Sequence, residues 1–201
     1  NAMAMDGISI YGVLCQLRKE IIGERIDKIH QPYRDEVILS LRGKSGGKRL
    51  LLSANPSHPR IHFTEIKKEN PGAPPMFTMI LRKYISGGRI TDISQPDFER
   101  IVFIDIEAAD EMGYLGKKRL ILEIMGKHSN IILCDDKGKI LDAAKRITHE
   151  KSSVRQVLPG RDYVLPPNEK KNPLLADKTE FLALCGEKRE QKLQNIIYQS
   201  Y

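Results

Sequence analysis

Cysteine is scarce in this chain. Cys15, Cys134 and Cys185 stand far apart, each among apolar residues. No CxxC or Cys/His spacing marks a metal site, and an odd, isolated set fits a reducing compartment. Long apolar runs are missing too: none approaches the ~20 residues that span a bilayer. The start lacks the basic and long apolar regions of a signal peptide, so a cytoplasmic protein without a membrane partner is expected. The turn Gly43-Lys44-Ser45-Gly46-Gly47-Lys48 has a phosphate loop's residue types but not the GxxxxGK[ST] order, and reads as a hairpin tip. No internal repeat is visible. No Ser/His/Asp or Cys/His pair is spaced for hydrolysis, and the five histidines are scattered. No cofactor is expected.

What is present is a basic balance. The 201 residues carry a net charge of +7. Residues 1–100 hold 16 basic and 11 acidic side chains, and residues 101–201 hold 17 and 15, so the excess lies mainly in the first half. That balance favours polyanionic partners without naming one. Residues 119–134 are central. Two short apolar runs, Leu120–Met125 and Ile131–Cys134, flank Gly126-Lys127-His128-Ser129-Asn130. Their brevity and β-branching predict neighbouring antiparallel strands, with Gly126 at the turn. Lys127, His128, Ser129 and Asn130 would then project from a sheet edge as a cation among short hydrogen-bonding groups. Glu99-Arg100 is predicted to open another strand. A solvated turn and an anion or RNA site are both compatible with this pattern.

Along the chain, Asp6 is placed to cap a helix reaching about Ile22, with Ile10, Val13, Leu14, Leu17 and Ile21 on one face and Gly23 as its stop. Strands are expected at 25–30, 37–41, 49–53 and 60–64, with Gln31-Pro32-Tyr33 as the first turn. His58, Arg60 and His62 are further candidate RNA contacts. Asn70 to Pro75 reads as a linker into a helix from about Met76 to Ser86, whose apolar residues recur at three and four. Strands follow at 89–94, 99–107, 118–125, 130–134 and 139–143. Asp135-Asp136-Lys137-Gly138 is a hairpin turn. In the 99–107 strand both faces are apolar, as in a β-sandwich. Residues 145–151 are basic, and 158–167 form an extended closing segment. Residues 168–172 read as a domain boundary. Asp177–Glu180 has capping-box spacing ahead of Phe181-Leu182-Ala183-Leu184, and Glu187–Tyr201 reads as a charged helix. The domains are thus 3–167 and 168–201.

Several stretches, taken together, resemble a known family. They are Met5-Asp6-Gly7, Lys28-Ile29-His30-Gln31-Pro32, residues 75–83 (PMFTMILRK), Glu99-Arg100, residues 123–130 (EIMGKHSN) and Leu158-Pro159-Gly160. In order and spacing they resemble the N-terminal NFACT domain of ribosome-associated quality-control factors, RqcH in bacteria and NEMF-type relatives in eukaryotes. An older family label is fibronectin-binding protein A. The resemblance implies an α+β fold: an antiparallel β-sandwich flanked by helices, like the N-terminal domain of formamidopyrimidine-DNA glycosylases. The start of a helical, helix-hairpin-helix domain would follow.

The resemblance also implies an RNA-binding module. Family members bind the large (50S) ribosomal subunit obstructed by peptidyl-tRNA and recruit tRNA, alanyl-tRNA in bacteria, for mRNA-independent C-terminal tailing. Glu99 and Arg100 fall on the family's acidic-Arg pair, with Glu in place of the common Asp. Glu123, Ile124 and Met125 form a second family feature, so the implied tRNA-binding set is Glu99, Arg100, Glu123, Ile124, Met125, Lys127, His128 and Asn130. Read as side chains, Arg100 suits a phosphate or a base, and Glu123, polar within an apolar strand, needs a partner if buried. Two alternatives stand beside it: a fibronectin-binding surface adhesin, from the older label, and a glycosylase-like DNA-binding protein. The second would need an N-terminal proline nucleophile, whereas Met3-Ala4-Met5-Asp6 stands here.

Overall fold

The computed structural model describes residues 5–43, 46–152, 154–167, 175–188 and 191–200. The expected boundary at 168–172, and Lys44 and Ser45 of the basic turn, lie outside them. Helix α1 (Gly7–Ile21) leads into strands β1 (Arg25–Tyr33), β2 (Glu36–Arg42), β3 (Lys48–Ser53) and β4 (Arg60–Phe63). Helix α2 (Met76–Ile85) is followed by β5 (Arg89–Ser94), β6 (Ile101–Ala109) and β7 (Leu115–Glu123). A 3-10 turn, Gly126–His128, precedes β8 (Asn130–Asp135) and β9 (Ile140–Ala143). Helices α3 (Lys178–Glu187) and α4 (Leu193–Ser200) close the described chain.

Asp6 caps α1 by accepting from the Ser9 amide at 2.7 Å. Ile10, Leu14, Leu17 and Ile21 make its buried stripe, and Phe77, Leu81 and Ile85 make that of α2. Both stripes join one large core with alternate residues of β1 to β8. Burying a side chain such as Leu81 contributes about 1.5–3 kcal/mol.

The strands form one antiparallel nine-stranded sheet in the order β4-β3-β2-β1-β5-β6-β7-β8-β9. This corrects the expected β-sandwich: the strands make one continuous sheet, whose two halves, β4 to β1 and β5 to β9, share one main core with the helices. The halves join where β1 meets β5, at the single register pair Arg25↔Arg89. The Ile26 amide donates to Gly88 O and the Gly87 amide to Ile26 O, both at 2.8 Å. Only glycine fits at 88, because a Cβ there would stand 2.8 Å from Ile106 Cγ2.

The two apolar faces of β6 bury in different places. Val102, Ile104 and Ile106 enter the main core, while Ile101 faces a smaller cluster with Ile121, Ile132 and Val157. The closing segment covers that second face, as Ile147, Val157 and Tyr163 pack on it. Bridges Lys139↔Asp162 and Ile147↔Val157 hold it there.

Three local readings shift. β1 runs on through Gln31-Pro32-Tyr33, with a register irregularity between His30 and Tyr33 that accommodates the proline, and the turn falls at Arg34-Asp35. β6 begins at Ile101, so Glu99-Arg100 stand just ahead of it. The helix expected from Glu187 is observed as α4, Leu193–Ser200, and Asp177 makes no side-chain capping bond to α3.

Candidate nucleic-acid interface

The antiparallel register gathers distant residues at one end of the sheet. Ile101 lies opposite Glu123, and Glu123 opposite Asn130. Arg100 O accepts from the Ile124 amide at 2.8 Å, which ties the approach to β6 onto the end of β7. Gly126, at φ +54, lets the chain turn there. The turn is then stapled: the Met125 amide donates to Ser129 Oγ at 2.9 Å, and the His128 amide to Met125 O at 3.0 Å. Lys127 and His128 are left exposed, whereas Ser129 and Asn130 turn inward and are buried. The expected projection of all four side chains therefore holds for two.

Asn130 is engaged on every side. Its Nδ2 donates to Lys145 O at 2.8 Å, and its Oδ1 accepts from the Ile131 and Lys145 amides at 2.9 and 3.0 Å. It thereby fixes the chain leaving β9. Lys145 Nζ reaches back to donate to Ala54 O at 2.7 Å and Ser129 O at 3.0 Å. Burial pulls its pKa below the ordinary lysine value.

Glu123 is fully buried and forms an ion pair with Arg155, whose side chain is 12% exposed. Arg155 Nη1 also donates to Val164 O at 2.8 Å, and its guanidinium lies 5.9 Å from the Tyr163 ring centroid. Glu123 Oε1 has no partner among the described residues. Burial pushes the Glu123 carboxyl up to about 7, against the opposing pull of Arg155. The polar residue in an apolar strand thus has its required partner, 32 positions further along.

Above these anchors opens a groove of about 750 Å3. Seven cationic side chains line it, Arg34, Arg100, Lys127, Lys145, Arg146, Lys151 and Arg155, against the single carboxylate of Asp35. Arg146 is held by Asp142 through two bonds, at 2.9 and 3.2 Å. Arg34, Arg100, Lys127 and Lys151 make no ion pair among the described residues. Met125, Ile147, Val154, Pro166 and Pro167 add apolar wall. Guanidinium forks and ammonium groups around such a concavity match phosphate oxygens, and the apolar wall suits base or sugar faces.

Of the sequence-derived set, Arg100, Met125, Lys127 and His128 line the groove. Glu123, Ile124 and Asn130 lie buried behind it, Ile124 within the main core, so they act on a ligand only through what they hold. Glu99 is half-buried and does not line it; its carbonyl accepts from Gln95 Nε2 at 2.7 Å. His58, Arg60 and His62 lie elsewhere. Arg60 donates to His62 Nε2 at 3.0 Å and to His58 O at 2.8 Å, and pairs with Glu36 at 3.4 Å. Sequence reasoning assigned no site role to Arg34, Lys145, Arg146, Lys151 or Arg155. The available signal was the basic stretch that begins at 145 and continues past Lys151. Among the described residues, no group of three His, Cys, Asp or Glu could hold a metal, and no helix is long and apolar enough to cross a membrane.

A mixed α+β domain that carries a cation-lined groove at one sheet end has a surface whose charge complements a polyanion. The family description "NFACT N-terminal and middle domains" matches residues 6–201. The chain is 46% identical over 182 residues to "Rqc2 homolog RqcH" of Bacillus subtilis (strain 168), covering 90% of this chain and 32% of that protein. It is 42% identical over 200 residues to "Rqc2 homolog RqcH" of Streptococcus pneumoniae serotype 2, covering 98% and 36%. The chain thus spans about a third of the length of these relatives.

Among solved structures, it matches the N-terminal domain of the fibronectin-binding protein PavA from Streptococcus pneumoniae. The TM-score there is 0.85 at 35% identity, over 97% of this chain and 78% of that one. The fibrinogen-binding protein from Staphylococcus aureus matches with a TM-score of 0.86 at 32% identity, over 99% and 70%. The chain belongs to the NFACT N-terminal family and corresponds to the NFACT-N region of proteins named RqcH.

Proposed function

We propose that this chain is the RNA-gripping module of a quality-control factor that binds the obstructed large (50S) ribosomal subunit. It recruits tRNA of the alanine type, so that a stalled chain receives a C-terminal tail without mRNA. The observation that carries this is the groove, where seven cations face one carboxylate beside an apolar wall. Lys127, His128 and Arg100 meet phosphate or base edges, and Met125 packs against a base or ribose. Glu123, Ile124 and Asn130 support that surface from behind. The module performs no bond-making step of its own and works in the cytoplasm. Residues 175–200 open a helix-hairpin-helix region behind a glycosylase-like first domain.

The test is purification of the full-length protein from its own host, followed by sequencing of the bound RNA. Enrichment of large-subunit rRNA and one tRNA species is expected, with the tRNA lost in Arg100→Ala. RNA at background level overturns the reading. A second reading, fibronectin binding at a cell surface, is favoured only by the names of the solved relatives. Surface plasmon resonance against immobilised fibronectin, run on the same preparation, separates it from the first.

A further inference from the structure

Arg100 enters the groove from a loop whose backbone is strained. Asp97 and Phe98 stand at φ +41 and +59, in the left-handed region that residues with a Cβ avoid. Two consecutive such residues persist only where surrounding contacts over-determine them. Those contacts come from the far end of the sequence. Gln95 Nε2 donates both to Gly7 O, at 2.8 Å, and to Glu99 O, at 2.7 Å. The Glu99 amide donates to Pro96 O at 2.7 Å and closes the turn. Gly7 lies so close that a Cβ there would stand 2.0 Å from Phe98 O. The Phe98 ring stacks on Tyr11 of α1, with centroids 5.0 Å apart. Beyond the loop, Arg100 O accepts from the Ile124 amide.

We infer that Gln95, with Gly7 and Tyr11, is a positioning unit: it clamps the strained 97–98 turn onto α1 and so aims Arg100 into the groove. The inference rests on the reading that Arg100 contacts RNA. The Gln95 side chain bridges α1 to the residue before Arg100. Its amide NH2 can satisfy two carbonyls that face each other, which neither a carboxylate nor an alkyl group can do. Gln95→Glu removes both donors while keeping the length of the side chain, and Gln95→Leu removes them in a side chain one atom shorter.

The experiment measures binding of a fluorescent alanine-type tRNA transcript to the full-length protein, in a double-mutant cycle with Arg100→Ala. Gln95→Leu is expected to weaken binding about tenfold in the native background and less than twofold once Arg100 is gone. It should also lower the salt slope by about one, as Arg100→Ala does. Tyr11→Ala, at a half-exposed ring, leaves the fold intact if Gln95→Leu does not, and is expected to weaken binding about threefold with the same non-additivity. Equal losses in both backgrounds, or no loss, overturn the clamp while leaving the RNA reading in place. An Arg100→Ala protein that binds tRNA as tightly as the native one overturns both.

Discussion

Removing Arg155 should destabilise the protein by an amount that grows with pH. Glu123 is fully buried beside it, and burial already lifts the carboxyl to about 7 from an ordinary value of 4.5. A carboxyl raised in the native state binds its proton more tightly there than in the unfolded chain. The contribution of Glu123 to native stability therefore falls as pH climbs from about 4.5 to about 7, and levels off above that. Arg155 supplies both influences that hold the value down, its charge and its hydrogen bond. In Arg155→Ala the carboxyl rises further, so it stays protonated above pH 7 while the unfolded chain is ionised. Above about pH 7 the variant loses about 1.4 kcal/mol per pH unit relative to the native protein. Below that, both share one slope, and the penalty stays near the ~1–3 kcal/mol expected for the lost bonds of the guanidinium. Urea unfolding at about pH 6, 7, 8 and 9 reads the difference directly. Repeating it in a Glu123→Gln background should flatten the slope, since nothing titrates there. A penalty constant across that range, or a slope that survives Glu123→Gln, refutes the reasoning.

Asn130→Ala should cost about 2–4 kcal/mol in urea unfolding, because it strands the Ile131 and Lys145 amides and the Lys145 carbonyl at a buried position. Asp6→Ala should cost about 1 kcal/mol by the same measurement, through loss of the bond to the Ser9 amide. Lys127→Ala should leave stability unchanged and lower the salt slope of tRNA binding by about 0.9, as one lost phosphate contact predicts. A full-size slope in a titration over about 50–200 mM salt would remove Lys127 from the interface.

The legible parts of the sequence were those whose causes are local. The Asp6 cap, the apolar stripes of α1 and α2 and the Asp135–Gly138 turn each rest on residues within a few positions of one another, and each stands where the spacing put it. β6 was legible in kind, since apolar residues on both faces demand cover on both. What covers the second face was not, because Val157 and Tyr163 arrive from a segment without a strand's alternation. The site divides the same way. Glu123 announced itself as a polar residue in an apolar run, but nothing local names Arg155 as its partner. Ser129 and Asn130 looked like turn residues by type. Their inward placement follows from hydrogen bonds to Met125 and Lys145 that spacing does not reveal.

The groove's cations therefore come together only when four separated stretches meet. Arg34 comes from the β1–β2 turn, Arg100 from the loop before β6, Lys127 from the turn before β8 with His128 beside it, and Lys145 to Arg155 from the segment after β9. The last stretch is held by few long-range bonds: Asn130 to Lys145, Lys145 to Ala54 and Ser129, Glu123 to Arg155, and the Ile147↔Val157 bridge. Each is buried or half-buried, so each is strong enough to set position, yet all lie on one cover that packs against the smaller of the two apolar clusters. Cations brought together at that cover repel one another. A polyanion that binds the assembled groove and not the opened one relieves the repulsion and stabilises the cover by mass action. Glu123→Gln and Asn130→Ala are then expected to weaken binding of a polyanion without removing a contact to it, because they lower the share of the population that presents an assembled groove; tRNA affinity unchanged in both variants refutes this.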